Sequence, residues 1–165
     1  MYLELIPLDA YNLDRLERNA AINMQEGSVE SREFHSMIVT VLQETRSFLQ
    51  EANAREPWIS YLAMDALRGG LVGNCSFKGN PNDEGEVEIA IVTFPQFEGQ
   101  GYGGEMARRM IQMARDEGGV SRINAFTLAS SGAAIRLMER QGFQRLDIVH
   151  ESDKGDLWEW MLDLV

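Results

Sequence analysis

The segment that most restricts this chain is Phe94-Pro-Gln-Phe-Glu-Gly99-Gln-Gly101-Tyr-Gly103-Gly104-Glu-Met-Ala, where four glycines fall within six residues between an apolar run and a helix-forming run. A strand that passes through such a turn directly into a helix leaves backbone N–H groups unpaired at the positive end of that helix. Glycine also removes the side chains that would hold a ligand at a distance. The pattern predicts a backbone cradle for a phosphate or pyrophosphate at this turn.

The elements around the cradle follow from periodicity. Residues 2–6 alternate and stop at Pro7, which predicts a strand. A helix over about 11–24 carries Leu13, Leu16, Ala20 and Met24 on one face, and a longer amphipathic helix over 30–53 carries Phe34, Ile38, Val41, Leu42, Thr45, Phe48 and Leu49. Past Pro57 the period changes. Runs at 58–64, 71–77 and 86–94, separated by short glycine-containing turns, predict an antiparallel meander. A helix over Tyr102–Glu117 with Met106, Met110 and Met113 as its core stripe stops at Gly118-Gly119. A strand at 122–128, a helix capped by Ser130-Ser131 and ended near Gly142, and a hairpin of 143–150 with 157–162 complete the chain. The expected order is β-α-α-β-β-β-α-β-α-β-β, a mixed α/β single domain over 1–165. The strands at 86–94 and 122–128 flank one helix and should pair in parallel by a right-handed crossover.

Composition bounds the function. Fifteen Lys and Arg against 26 Asp and Glu give a net charge of −11, which repels nucleic acid and anionic membrane surfaces. Residues 101–145 run the other way, with seven arginines against four acids, so this stretch is +3 and the remainder −14. That asymmetry suits an anionic ligand held at the glycine turn and a cationic substrate approaching elsewhere. One cysteine, Cys75, and two histidines supply no intramolecular disulfide and no Cys/His set for zinc, so no metal is expected. With no signal-peptide pattern and no 18-residue apolar run, a cytoplasmic location is expected.

Gly99-x-Gly101-x-x-Gly104 literally satisfies the dinucleotide fingerprint, but its context does not. The turn follows a meander rather than a first βαβ strand, and the next strand ends Phe126-Thr-Leu-Ala-Ser without a ribose-binding acid. No Gly-Lys-Ser/Thr follows the glycines, which excludes a P-loop.

The segment Glu98-Gly99-Gln100-Gly101-Tyr102-Gly103 resembles the acetyl-coenzyme A motif of the GNAT acetyltransferase superfamily, Arg/Gln-x-x-Gly-x-Gly/Ala, with Glu98 where a basic or amide residue is commoner. Gln96-x-x-Gly99-x-Gly101 is a second register. Thr127-Leu-Ala-Ser-Ser131-Gly-Ala-Ala134-Ile-Arg136-Leu-Met-Glu-Arg-Gln-Gly142-Phe143 looks like the family's second signature, with Ser131 and Ala134 where Asn and Ser are frequent. The element order agrees, and the chain looks most similar to the ribosomal-protein N-terminal acetyltransferase-like branch.

The resemblance implies acetyl-coenzyme A as co-substrate and transfer of its acetyl group to a primary amine of a small molecule or protein N-terminus. It also implies a wedge where strands 86–94 and 122–128 splay. Pantetheine would pair with backbone near Val92, Thr93 and Phe94, the pyrophosphate would lie on Gln100 to Gly104, and Ser131 and Arg136, with Arg140 nearby, would reach the cofactor. Glu88 matches a glutamate frequent in related enzymes. An alkylammonium with pKa near 10.4 must lose a proton before attack, and Glu88 can take it; Glu86, on the same strand face, is the other carboxylate. The tyrosine that many relatives use as general acid falls on Met138, which with Glu98 leaves open a non-catalytic acyl-coenzyme A sensor or scaffold. A homodimer is a further expectation: Trp158 and Trp160 share a face that serves as core or as a dimer surface.

Overall fold

The computed structural model describes the backbone of residues 1–23 and 29–165, and the side chains of 1–19 and 32–165. Met24, expected on the first helix face, lies outside the described residues. The elements are β1 (Leu3–Pro7), α1 (Ala10–Asn23), α2 (Val29–Ala52), β2 (Ser60–Asp65), β3 (Gly70–Phe77), β4 (Glu86–Thr93), α3 (Tyr102–Glu117), β5 (Arg122–Leu128), α4 (Gly132–Arg140), β6 (Gln144–Glu151) and β7 (Gly155–Asp163). A short 3₁₀ turn at Pro95–Phe97 separates β4 from the glycines.

Among the described residues, seven strands form one mixed sheet in the order β1-β2-β3-β4-β5-β7-β6, and the only parallel pair is β4 with β5. The mixed α/β architecture expected from the sequence is therefore borne out.

Alternation along the strands sorts side chains to two faces. One face of the sheet, with Ile59, Tyr61, Cys75, Phe77, Val87, Ile89, Ile123 and Ala125, packs against Met106, Met110 and Ala114 of α3 and Met138 of α4. Met106 and Met110 are fully buried, and each such side chain contributes about 1.5–3 kcal/mol. On the other face Leu13, Ile38 and Leu42 of α1 and α2 cluster with Leu62, Leu71 and Phe94. That second layer sits over the N-terminal half of the sheet, leaving Glu88, Phe126 and Leu128 on a surface the helices do not cover; Phe126 is 38% and Leu128 47% exposed. Trp160 is fully buried and Trp158 packs beside it against the core, with Arg145 stacked 4.8 Å above the Trp158 ring. Trp160 thus belongs to the core, and Trp158 is partly buried beside it. No helix among the described residues is long and apolar enough to cross a membrane.

Candidate active site

β4 and β5 pair from Glu86 with Arg122 as far as Ile89 with Ala125, and there the parallel ladder ends. Beyond it β4 continues against β3, Thr93 opposite Gly73, while β5 continues against β7, Leu128 opposite Leu157. Each strand follows its outer partner, so the two diverge. A cavity of about 320 Å³ opens between them, lined by Ile89, Ala90, Ile91, Val92, Ala125, Phe126, Thr127, Leu128, Ser131 and the α4 residues Ala134, Leu137 and Met138.

Backbone direction decides which peptide groups face this wedge. Lys78 N–H donates to the Glu88 carbonyl, and Phe94 N–H donates to the Val72 carbonyl at 2.9 Å. Even-numbered peptide groups of β4 therefore face β3, and those of Ile91 and Thr93 face the wedge. This corrects the expectation for Phe94: its N–H is bonded to Val72, its carbonyl accepts from Phe97 N–H, and its ring is buried under α2. The Val92 peptide likewise turns to β3, while its side chain, 49% exposed, lines the cavity. The Thr93 peptide faces the wedge. Ile91 was missed, although strict alternation from the buried Val87 and Ile89 was the signal that could have found it.

The glycine turn forms the adjoining anion site. Gly101 stands just before α3 with φ of 89°, a left-handed conformation, and no side chain caps the helix. The first helical bond is Glu105 N–H to the Gly101 carbonyl, so no acceptor among the described residues meets the N–H groups of Tyr102, Gly103 and Gly104. These orphan donors fit the phosphate group that the sequence pattern implies. Glu105, in the first turn, is ion-paired to Arg108 and Arg109, which hold its carboxyl down to about 2 and offset its charge at the helix start.

The glycines do not all serve the same end. A Cβ on Gly103 would lie 2.7 Å from a Leu137 methyl and 3.1 Å from the Thr93 hydroxyl, so this glycine lets α3 close onto α4 and β4. Around Gly99, φ 72°, a Cβ would meet nothing within 4 Å. The Tyr102 side chain points inward, its hydroxyl donating to the buried Asp65 at 2.7 Å, so only its backbone remains for a ligand. Arg68, on the β2–β3 turn, donates to the Gln100 side chain at 3.0 Å and brings a cation to the cradle rim. Nothing in the sequence pointed to Arg68, since it stands 32 positions away.

Ser131 caps α4, accepting from Ala134 N–H at 3.4 Å, and also lines the cavity. Arg136 is exposed and folds back over the start of its own helix, its Nη1 being 3.1 Å from where a Gly132 Cβ would stand.

The two carboxylates on β4 differ in their surroundings. Glu86 binds Arg122 at 3.0 Å and accepts from the Asn82 amide, and Arg122 also binds Asp163 at 3.0 Å. No hydrogen bond or ion pair engages the Glu88 carboxylate among the described residues, and burial pushes it up from the ordinary value, with Lys78 and Lys154 opposing and Glu151 adding. Glu88 lies one residue before the last β4–β5 pair, opposite Asn124.

A parallel pair that opens into a cavity, an uncapped helix N-terminus beside it and an unpaired carboxylate at the fork together form the candidate site. The chain belongs to the acetyltransferase (GNAT) domain family, whose sequence pattern matches residues 3–144. An uncharacterized N-acetyltransferase of Bacillus subtilis, YjdG, is 28% identical over 98 residues, 59% of this chain and 58% of that protein. The chain thus matches little more than half the length of this curated relative. Spermidine N-acetyltransferase from Vibrio cholerae in complex with CoA and spermine superposes with a TM-score of 0.67 at 16% identity, over 98% of this chain and 95% of that one. A GNAT-family acetyltransferase from Bacillus anthracis gives 0.64 at 17% identity, over 99% and 95%. At these identities the likeness is one of fold.

Proposed function

We propose that the protein transfers the acetyl group of acetyl-coenzyme A to a primary amine of a small molecule or protein N-terminus. The observation that carries this reading is the fork: the β4–β5 ladder ends at Ile89 and Ala125, a cavity of about 320 Å³ opens beyond it, and the uncapped start of α3 adjoins it. The co-substrate supplies an acyl group on a thioester. The chain's residues hold it: N–H groups of Tyr102, Gly103 and Gly104 take the pyrophosphate, Gln100 and Gly101 shape the turn, and Arg68, Arg136 and Arg140 supply positive charge at the rim. The peptides of Ile91 and Thr93 have N–H and C=O directed into the wedge for an amide-bearing arm. Ser131 also lines the wedge.

Glu88 is the general base in this reading, and the Arg122 ion pair is the reason to prefer it to Glu86. A carboxylate already bound to a guanidinium and an amide is a poor proton acceptor, whereas one lifted by burial is a better one. The acceptor approaches over the uncovered face carrying Glu88, Asn124, Phe126 and Leu128. The second signature around Ser131 supports placing the chain near the ribosomal-protein N-terminal acetyltransferase-like branch, and the single, buried Cys75 fits a reducing, cytoplasmic setting.

Thermal unfolding with acetyl-coenzyme A, and separately with NAD, tests the binding half. Ligand at about 100 times its Kd adds about 2.7 kcal/mol of stability, so acetyl-coenzyme A should raise Tm and NAD should not. Thiol release with a panel of polyamines, amino acids, aminoglycosides and peptides then tests transfer. Stabilisation without turnover on any amine would leave a sensor, not an enzyme.

A further inference from the structure

The wedge is apolar except at two side chains. Of its lining residues, only Thr127 and Ser131 carry a polar side-chain atom. Thr127 is 6% exposed, and its hydroxyl oxygen accepts a hydrogen bond from the Trp160 indole N–H at 2.8 Å. No acceptor for its own hydroxyl hydrogen occurs among the described residues, so a buried donor borders an otherwise greasy cavity unspent. Trp160 is fully buried, which fixes the indole and with it the Thr127 rotamer. An indole N–H donating to a hydroxyl oxygen polarises the O–H bond and makes it a stronger donor, an effect enhanced away from water.

We infer that the Thr127 hydroxyl, set and polarised by Trp160, is the hydrogen-bond donor that stabilises the sulfur leaving the acetyl group. This inference rests on the acetyltransferase reading above. In the transfer Glu88 takes one proton from the substrate ammonium, the amine nitrogen then forms a bond to the acetyl carbon, the carbon–sulfur bond breaks with its electron pair on sulfur, and the second proton lost from the nitrogen passes to solvent. The sulfur, anionic at that moment and facing Met138, Leu137 and Ala134, accepts a hydrogen bond from Thr127 and takes a proton from solvent on release. Without a donor, a thiolate in such a lining bears an uncompensated desolvation cost. Thr127 acts here as a catalytic group and Trp160 as the residue that positions it. Ser131 is the rival donor, its oxygen accepting from the Ala134 N–H at a longer 3.4 Å, and the test separates the two.

The test compares coenzyme A with desulfo-coenzyme A, which lacks the sulfur, by calorimetric binding from about pH 7 to about pH 10, where an alkyl thiol ionises. Thr127→Val should leave desulfo-coenzyme A affinity unchanged, weaken coenzyme A increasingly as pH rises, and lower kcat roughly 10- to 100-fold, the range for a hydrogen bond to a charged group. Thr127→Ser, which keeps the hydroxyl, should restore most of both. Equal effects on the two ligands, or a Thr127→Val profile that matches wild type across pH, would overturn the inference. So would a sulfur-specific loss in Ser131→Ala alone. Failure of wild-type protein to bind either ligand would instead sink the acetyltransferase reading itself.

Discussion

At Glu88, burial raises the carboxyl pKa while the chain supplies no hydrogen bond to the charged form. Two outcomes follow for Glu88→Gln. Turnover should fall roughly 10²- to 10⁴-fold with cofactor affinity nearly unchanged, and the loss should shrink as pH rises and more amine arrives deprotonated. Steady-state rates from about pH 6.5 to about pH 9.5 check this; wild-type rates throughout would exclude the base assignment. The same substitution should raise Tm at neutral pH. A group whose folded pKa lies above its unfolded value favours folding at low pH and loses that contribution as pH rises through the folded pKa, so removing its charge stabilises only above that point. Glu86→Gln should behave differently: a partly exposed ion pair with Arg122 contributes about 1 kcal/mol, and turnover should stay within a few-fold of wild type.

At the level of elements, the junction of β4 with α3 is held from both sides of the glycine turn. Gly101→Ala should cost about 1–2 kcal/mol, because its φ of 89° suits glycine alone and not because space is short, the nearest atom to a Cβ being a Met1 methyl at 3.6 Å. Gly103→Val should do harm by wedging α4 away from α3, so it lowers stability and cofactor affinity together, as parallel denaturation and binding titrations would show. Beneath the turn, Asp65 accepts from Tyr102 and from the N–H groups of Leu67 and Arg68, and the Tyr102 hydroxyl is the leading cause of its lowered pKa. That stabilisation is present above the unfolded carboxylate pKa and is lost as pH falls through the folded one. The Tyr102→Phe destabilisation should therefore be full at neutral pH and fade in acid; a pH-independent loss would point to packing instead.

Over the whole molecule, a net charge of −11 surrounds an uncovered face that carries Glu88. Long-range attraction of that kind is screened over about 30 Å at 0.01 M salt and about 8 Å at 0.15 M. KM for a polycationic amine should thus rise with ionic strength while KM for a monoamine changes little, measurable by salt titration at fixed pH. Equal salt sensitivity for both would show that the field plays no part in acceptor capture.

The sequence by itself determined the element order, the bounds of α3 and β5, and the glycine turn, because these rest on local periodicity and on backbone freedom that neighbouring residues dictate. It brought Glu88 and Glu86 to one face of β4 but left the choice between them open, since the distinction lies in Arg122, 36 positions away and aligned with Glu86 only by the parallel register. Phe94 was misread for a related reason. Which way a peptide points is set by the neighbouring strand, and β3 claims its N–H. Arg68 at the cradle, Tyr102 turned onto Asp65 and the Thr127–Trp160 bond are likewise contacts between distant segments, which the folded sheet alone brings within hydrogen-bonding reach.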